Sequence, residues 1–145
     1  MFKVKLIRHV FGAGMNEFSV TMVRNVELPF PPVPGIGLGP YEWSEPASDV
    51  LRVERVMYNI PRGQFHVEVD SFRINEPKDI VRFMIANGWE LDLSIPFTTP
   101  EEAESVEPGL YTIVEVEGRY YPLSRAELWC LREQKTAHRV VKEPS

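Results

Sequence analysis

The 145 residues carry 16 lysines and arginines against 21 aspartates and glutamates, a net charge of −5. That balance speaks against a nucleic-acid partner, whose footprint is ordinarily basic. The chain is 43% hydrophobic and 26% charged, a globular make-up, and its single cysteine, Cys130, excludes an internal disulfide. The length suits one globular domain over residues 1–140, followed by a disordered tail over 141–145. Charge is interleaved with apolar residues through Phe2–His9, which is no signal peptide, and no stretch is long enough to span a bilayer. The expected location is the cytoplasm.

Taken in order, Phe2, Val4 and Leu6 alternate with Lys3, Lys5 and Ile7 and read as a first strand. A loop over Gly12–Glu17 leads to a second strand, antiparallel to the first, in which Phe18, Val20, Met22, Val26 and Leu28 share one parity and only Arg24 interrupts the row. Proline lacks the donor that a ladder needs, so the arm Pro29–Pro40 is expected to be extended and edge-like, lying on the body through Phe30, Val33, Ile36 and Leu38.

The central feature is a hairpin from Leu51 to Ile74. A two-residue turn at Arg62-Gly63 sets Ile60 opposite Phe65, Tyr58 opposite Val67 and Val56 opposite Val69, all on one apolar face. The other face then pairs Asn59 with His66, Met57 with Glu68 and Arg55 with Asp70. The competing arrangement is a type I turn over Pro61-Arg62 with Gly63 as a bulge, which slips the pairing by one residue and mixes polar with apolar partners.

A helix is expected over Pro77–Asn87, capped from Asn75 or Glu76, striped by Ile80, Val81, Phe83, Met84 and Ile85, and stopped at Gly88. Trp89–Phe97 alternates like a further strand. Thr99-Pro100-Glu101-Glu102 has capping-box spacing and opens a short helix over Pro100–Ser105. Leu110–Glu117 and Arg119–Tyr121 form a hairpin through Glu117-Gly118, closed by Pro122, and Ser124-Arg-Ala-Glu127 opens a C-terminal helix. Arg132, Lys135, Arg139 and Lys142 suit the solvated end of that helix. The fold class is therefore α+β: a mainly antiparallel sheet of about six to seven strands with helices on one face.

Few residues point to chemistry. His66, Glu68 and Asp70 form an alternating polar row on one strand, and His66 with Glu68 could act as ligands or as an acid–base pair. Residues two apart on a strand lie about 6.6 Å apart and residues four apart about 13 Å, so His66 and Glu68 could share one ion but Asp70 cannot join them. Tyr58 is the third candidate ligand-binding residue, although the two-residue turn points it to the opposite face. Gly35-x-Gly37-x-Gly39 is not a phosphate cradle, because no helix opens after it and Pro34 and Pro40 bracket it. Cys130, beside Trp129 and Leu131, reads as a buried structural thiol, and Ser124 as a helix cap. No catalytic constellation, metal site or cofactor motif emerges. The expected function is a small soluble protein-interaction module, an adaptor, accessory or immunity-type protein with a protein partner or as a homo-oligomer. Its contact residues would include Phe30, Val33, Tyr41 and Trp43. The alternative is a small-ligand-binding protein or enzyme using the His66/Glu68 face.

Overall fold

The computed structural model describes residues 1–39 and 50–145. They divide into two compact units, Met1–Glu90 and Leu91–Ser145. The fold is α+β, with a seven-stranded, mostly antiparallel sheet and a second sheet of three strands.

Strand β1 (Phe2–Gly12) lies inside the larger sheet. It pairs antiparallel with β2 (Ser19–Leu28) along its length, from Phe2 opposite Leu28 to Phe11 opposite Ser19. Next come the edge strand β3 (Gly37–Leu38), then β4 (Leu51–Asn59), β5 (Gln64–Val69) and β6 (Phe72–Ile74). The order across the sheet is β3-β4-β5-β1-β2-β7, where β7 is Glu90–Leu91, and β6 pairs β1 beyond the end of β5. Both β5 and β6 run parallel to β1. Period-two alternation divides the side chains. Val4, Leu6, Arg8, Val10, Val20, Met22, Val67 and Val69 fill the inner face and are buried.

The hairpin β4–β5 keeps its faces but adopts neither register expected from its sequence. Tyr58 lies opposite Phe65, Val56 opposite Val67, Met57 opposite His66 and Arg55 opposite Glu68. The loop is four residues long, Ile60–Gly63, closed by Gly63 N–H donating to Ile60 O at 3.2 Å, with Gly63 at φ 61°. Asn59 accounts for the extra length, because its Oδ1 accepts the Arg62 N–H at 3.1 Å and holds the loop open one step earlier. Relative to the two-residue turn the pairing moves by two residues, which preserves parity, so the apolar face survives. A bulge between Val53 and Arg55 then sets Val53, rather than Val56, opposite Val69.

Arg8 occupies an inner-face position with only 1% of its surface exposed. The ladder breaks between β5 and β6, and Arg8 fills the gap. Its Nε donates to Asp70 O at 2.8 Å, its Nη2 lies 3.3 Å from Asp70 Oδ2, and its guanidinium stacks 3.6 Å from the Phe72 ring centroid. Asp70 Oδ1 also accepts the Arg52 N–H at 2.9 Å, tying in β4.

Helix α1 (Pro77–Ala86) lies against β1 and buries Pro77, Val81 and Met84. Glu76 is the N-cap residue, without a side-chain capping bond. The helix ends as Gly88 predicts: Trp89 N–H bonds Met84 O, Gly88 N–H bonds Ile85 O, and Gly88 has φ 91°. The Arg24 guanidinium fills the space that a Cβ on Gly88 would need. It thereby brings a cation to the helix C-terminus, where the dipole favours one.

The strand expected over Trp89–Phe97 is cut down to β7. Asp92 Oδ1 takes the Ser94 N–H at 3.1 Å, Pro96 has no donor, and pairing resumes only as a single bridge from Phe97 to Tyr120. In the second unit, α2 (Pro100–Glu104) is capped by Thr99. Then β8 (Thr112–Val116) and β9 (Arg119–Leu123) form the expected tight hairpin, with Glu117 and Gly118 at positive φ. Pro122 does not end that arm, since β9 continues to Leu123. The full capping box at Ser124 opens α3 (Arg125–Glu133). That helix stops short of Arg139, and β10 (Arg139–Lys142) instead pairs antiparallel with β8. Lys142 Nζ meets Glu104 Oε1 at 3.0 Å, and Ser145 N–H donates to Gly109 O. The second core gathers Ala103, Ile113, Val114, Leu123, Cys130 and Leu131.

Candidate functional site

The outer face of the first sheet carries a polar row that runs across four adjacent strands. Thr21 on β2 stands opposite His9 on β1, and Thr21 Oγ1 lies 2.8 Å from His9 Nδ1. The other ring nitrogen, Nε2, lies 3.3 Å from Glu68 Oε1 on β5. Glu68 Oε2 in turn meets Arg55 Nε of β4 at 3.2 Å. Strand alternation alone places the four on one face, and register brings them within reach of one another. His9 and Glu68 are partly open to solvent, with 37% and 31% of their side-chain surface exposed. The imidazole thus bridges the Thr21 hydroxyl and the Glu68 carboxylate, each within hydrogen-bond reach of one ring nitrogen. This is a hydroxyl–imidazole–carboxylate relay whose carboxylate is held in place by a guanidinium.

Of the residues singled out in the sequence, Glu68 belongs to this row, and its histidine partner is His9. His66 shares the outer face of β5, half-buried, opposite Lys5 and Met57. Tyr58 is on the inner face, its ring packed edge-on against Phe65 at 4.9 Å between centroids. Arg55 pairs with Glu68, a consequence of the two-residue shift, and leaves Asp70 to Arg8. His9 and Thr21 are not singled out by sequence reasoning. Their signal is parity, since both fall opposite the apolar rows of their strands, but joining them to Glu68 requires the parallel β1–β5 pairing, which no local pattern announces.

A second feature lies at the hairpin end of the same sheet. Met57 is 60%, Tyr58 49% and Ile60 80% exposed, and the Phe2 ring packs against Phe65 at 6.1 Å. On the arm, Phe30 is half-buried and Val33 is exposed, while Tyr41 and Trp43 lie outside the described residues. Cys130 is fully buried, and burial, with Glu127 and Glu133 nearby, pushes its thiol up to about 12. Among the described residues no three His, Cys, Asp or Glu side chains gather as a cation site, and no helix is long and apolar enough to cross a membrane. No family model, curated protein or solved structure matches this chain.

Proposed function

We propose that the chain is a small protein-interaction module, acting in the cytoplasm through the hairpin end of its first unit. The observation that carries this reading is the exposure of Tyr58 and Ile60 together, beside the Phe2–Phe65 ring pair on the same face. Large apolar side chains gathered at one place on a surface mark contact sites, whereas scattered single ones do not. Tyrosine and phenylalanine are also common anchors at interfaces. The acidic net charge supports a protein partner over a nucleic acid. The test is native purification from the source cell. The wild-type chain is expected to elute in a complex, with a partner or a second copy, and the double variant Tyr58→Ser/Ile60→Ser to elute alone with an unchanged circular dichroism spectrum. A wild-type chain that elutes as a bare monomer contradicts the reading.

A second reading, a small-ligand site or enzyme on the outer face, is favoured by the Thr21–His9–Glu68 relay. Its test is a panel of chromogenic esters together with a thermal-shift screen of small acids and nucleotides. Turnover that disappears in both His9→Ala and Glu68→Gln supports it; rates equal to buffer with no thermal shift dismiss it.

A further inference from the structure

We propose that the surface at the hairpin end takes a second copy of this chain, whose own β4 pairs antiparallel with β4 across a two-fold axis at Met57 and continues the sheet. This inference rests on the interaction reading and names its partner.

The first support is an open edge. On the side away from β5, β3 covers only Leu51 and Arg52, and the arm reaches one residue further, where Val53 exchanges hydrogen bonds with Gly35 and Ile36. The arm cannot extend that ladder, because Pro34, Pro32 and Pro31 have no N–H to give. Among the described residues no strand pairs with Arg55–Asn59 on that side. A run of unpaired backbone donors and acceptors is a template for another strand.

The second support is self-complementarity. Antiparallel pairing centred on Met57 sets Met57 against Met57 on the outer face. On the inner face it sets Tyr58 against Val56 twice, an aromatic with β-branched pairing of the kind that stabilises sheets. Arg55 falls opposite Asn59, so no like charges oppose one another. Centring on Val56 instead sets two strand residues against charges, Met57 against Arg55 and Tyr58 against Glu54, whereas centring on Met57 leaves only Glu54 against the loop residue Ile60. The favoured register also covers two of the most exposed apolar side chains of the strand, Met57 and Tyr58. A two-fold axis normal to the sheet keeps inner face with inner face, as an isologous interface requires.

The experiment combines sedimentation velocity over a dilution series with a cysteine placed on the axis. The wild-type chain is expected to sediment as a dimer that dissociates on dilution. Met57→Lys, which sets two cations face to face at an exposed position, is expected to sediment as a monomer with an unchanged circular dichroism spectrum. Met57→Cys should give a covalent dimer under mild oxidation and Glu27→Cys, exposed on β2, should not; the buried Cys130 takes no part. A dimer that fails to cross-link through Met57→Cys overturns the proposed axis. A monomer that co-purifies with a different protein overturns the self-pairing and leaves the interaction reading standing. A monomer that co-purifies with nothing overturns both.

Discussion

Arg8 is the residue on which the first unit turns. A guanidinium with 1% exposure on the apolar row of β1 would be strongly destabilising alone, and Asp70 with Phe72 makes its burial tolerable. Removing the carboxylate takes from a buried charge an ion partner 3.3 Å away. Asp70→Ala should lower the unfolding free energy by about 2 kcal/mol or more in urea titrations, less than a fully buried pair because Asp70 is partly exposed. Arg8→Met, which removes the charge and keeps much of the volume, should cost less than that. Equal losses from both would mean that the pair does not act through buried charge. Cys130 gives a second residue-scale expectation. A buried thiol pushed up to about 12 stays protonated at neutral pH, so its labelling by a disulfide reagent should follow global unfolding. Rapid labelling of the native chain would show that the α3 face opens.

At the scale of elements, what the sequence discloses follows the range of the interaction. Capping and turn signals are local, and most of them hold. Ser124 with Glu127 forms the complete box, Gly88 ends α1, and Glu117-Gly118 makes the tight turn. Thr99 caps α2, but Glu102 bonds Thr98 Oγ1 rather than closing the box. Faces are legible for a related reason, since alternation survives a two-residue shift. Register is not, because one amide, Asn59 Oδ1, decides the loop length. The parallel pairing of β1 with β5 and β6 is less legible still, since it joins segments some 60 residues apart in sequence. That pairing is why the candidate site is only half-legible in the sequence: Glu68 stands out, His9 and Thr21 do not. Two expectations belong to this scale. Gly88→Ala should cost about 1 kcal/mol or more, from positive φ and displacement of Arg24, as read from the melting midpoint. The bond between Lys142 and Glu104 joins β10 to α2 and, first among the causes, lowers the Glu104 pKa. A carboxyl depressed on folding adds stability above its unfolded value, and that stability is lost as pH falls through the folded value. Lys142→Met should therefore weaken the chain near neutrality and flatten its response to acid; an unchanged acid transition would remove the bond from the account.

For the whole molecule, the first sheet sorts its work by face and by edge. The inner face holds the core and Arg8, the outer face the relay, and the hairpin end the exposed apolar residues. The β4 edge and its neighbouring side chains are therefore where this chain is expected to meet another. Amide hydrogen exchange tests that claim most directly, read at those amides of Arg55–Asn59 that point away from β5 and compared between concentrated and dilute wild-type protein. The account predicts slow exchange in the concentrated sample, released on dilution, while the amides of β1 stay protected in both. Fast exchange of those outward amides at every concentration, with β1 protected, would contradict it.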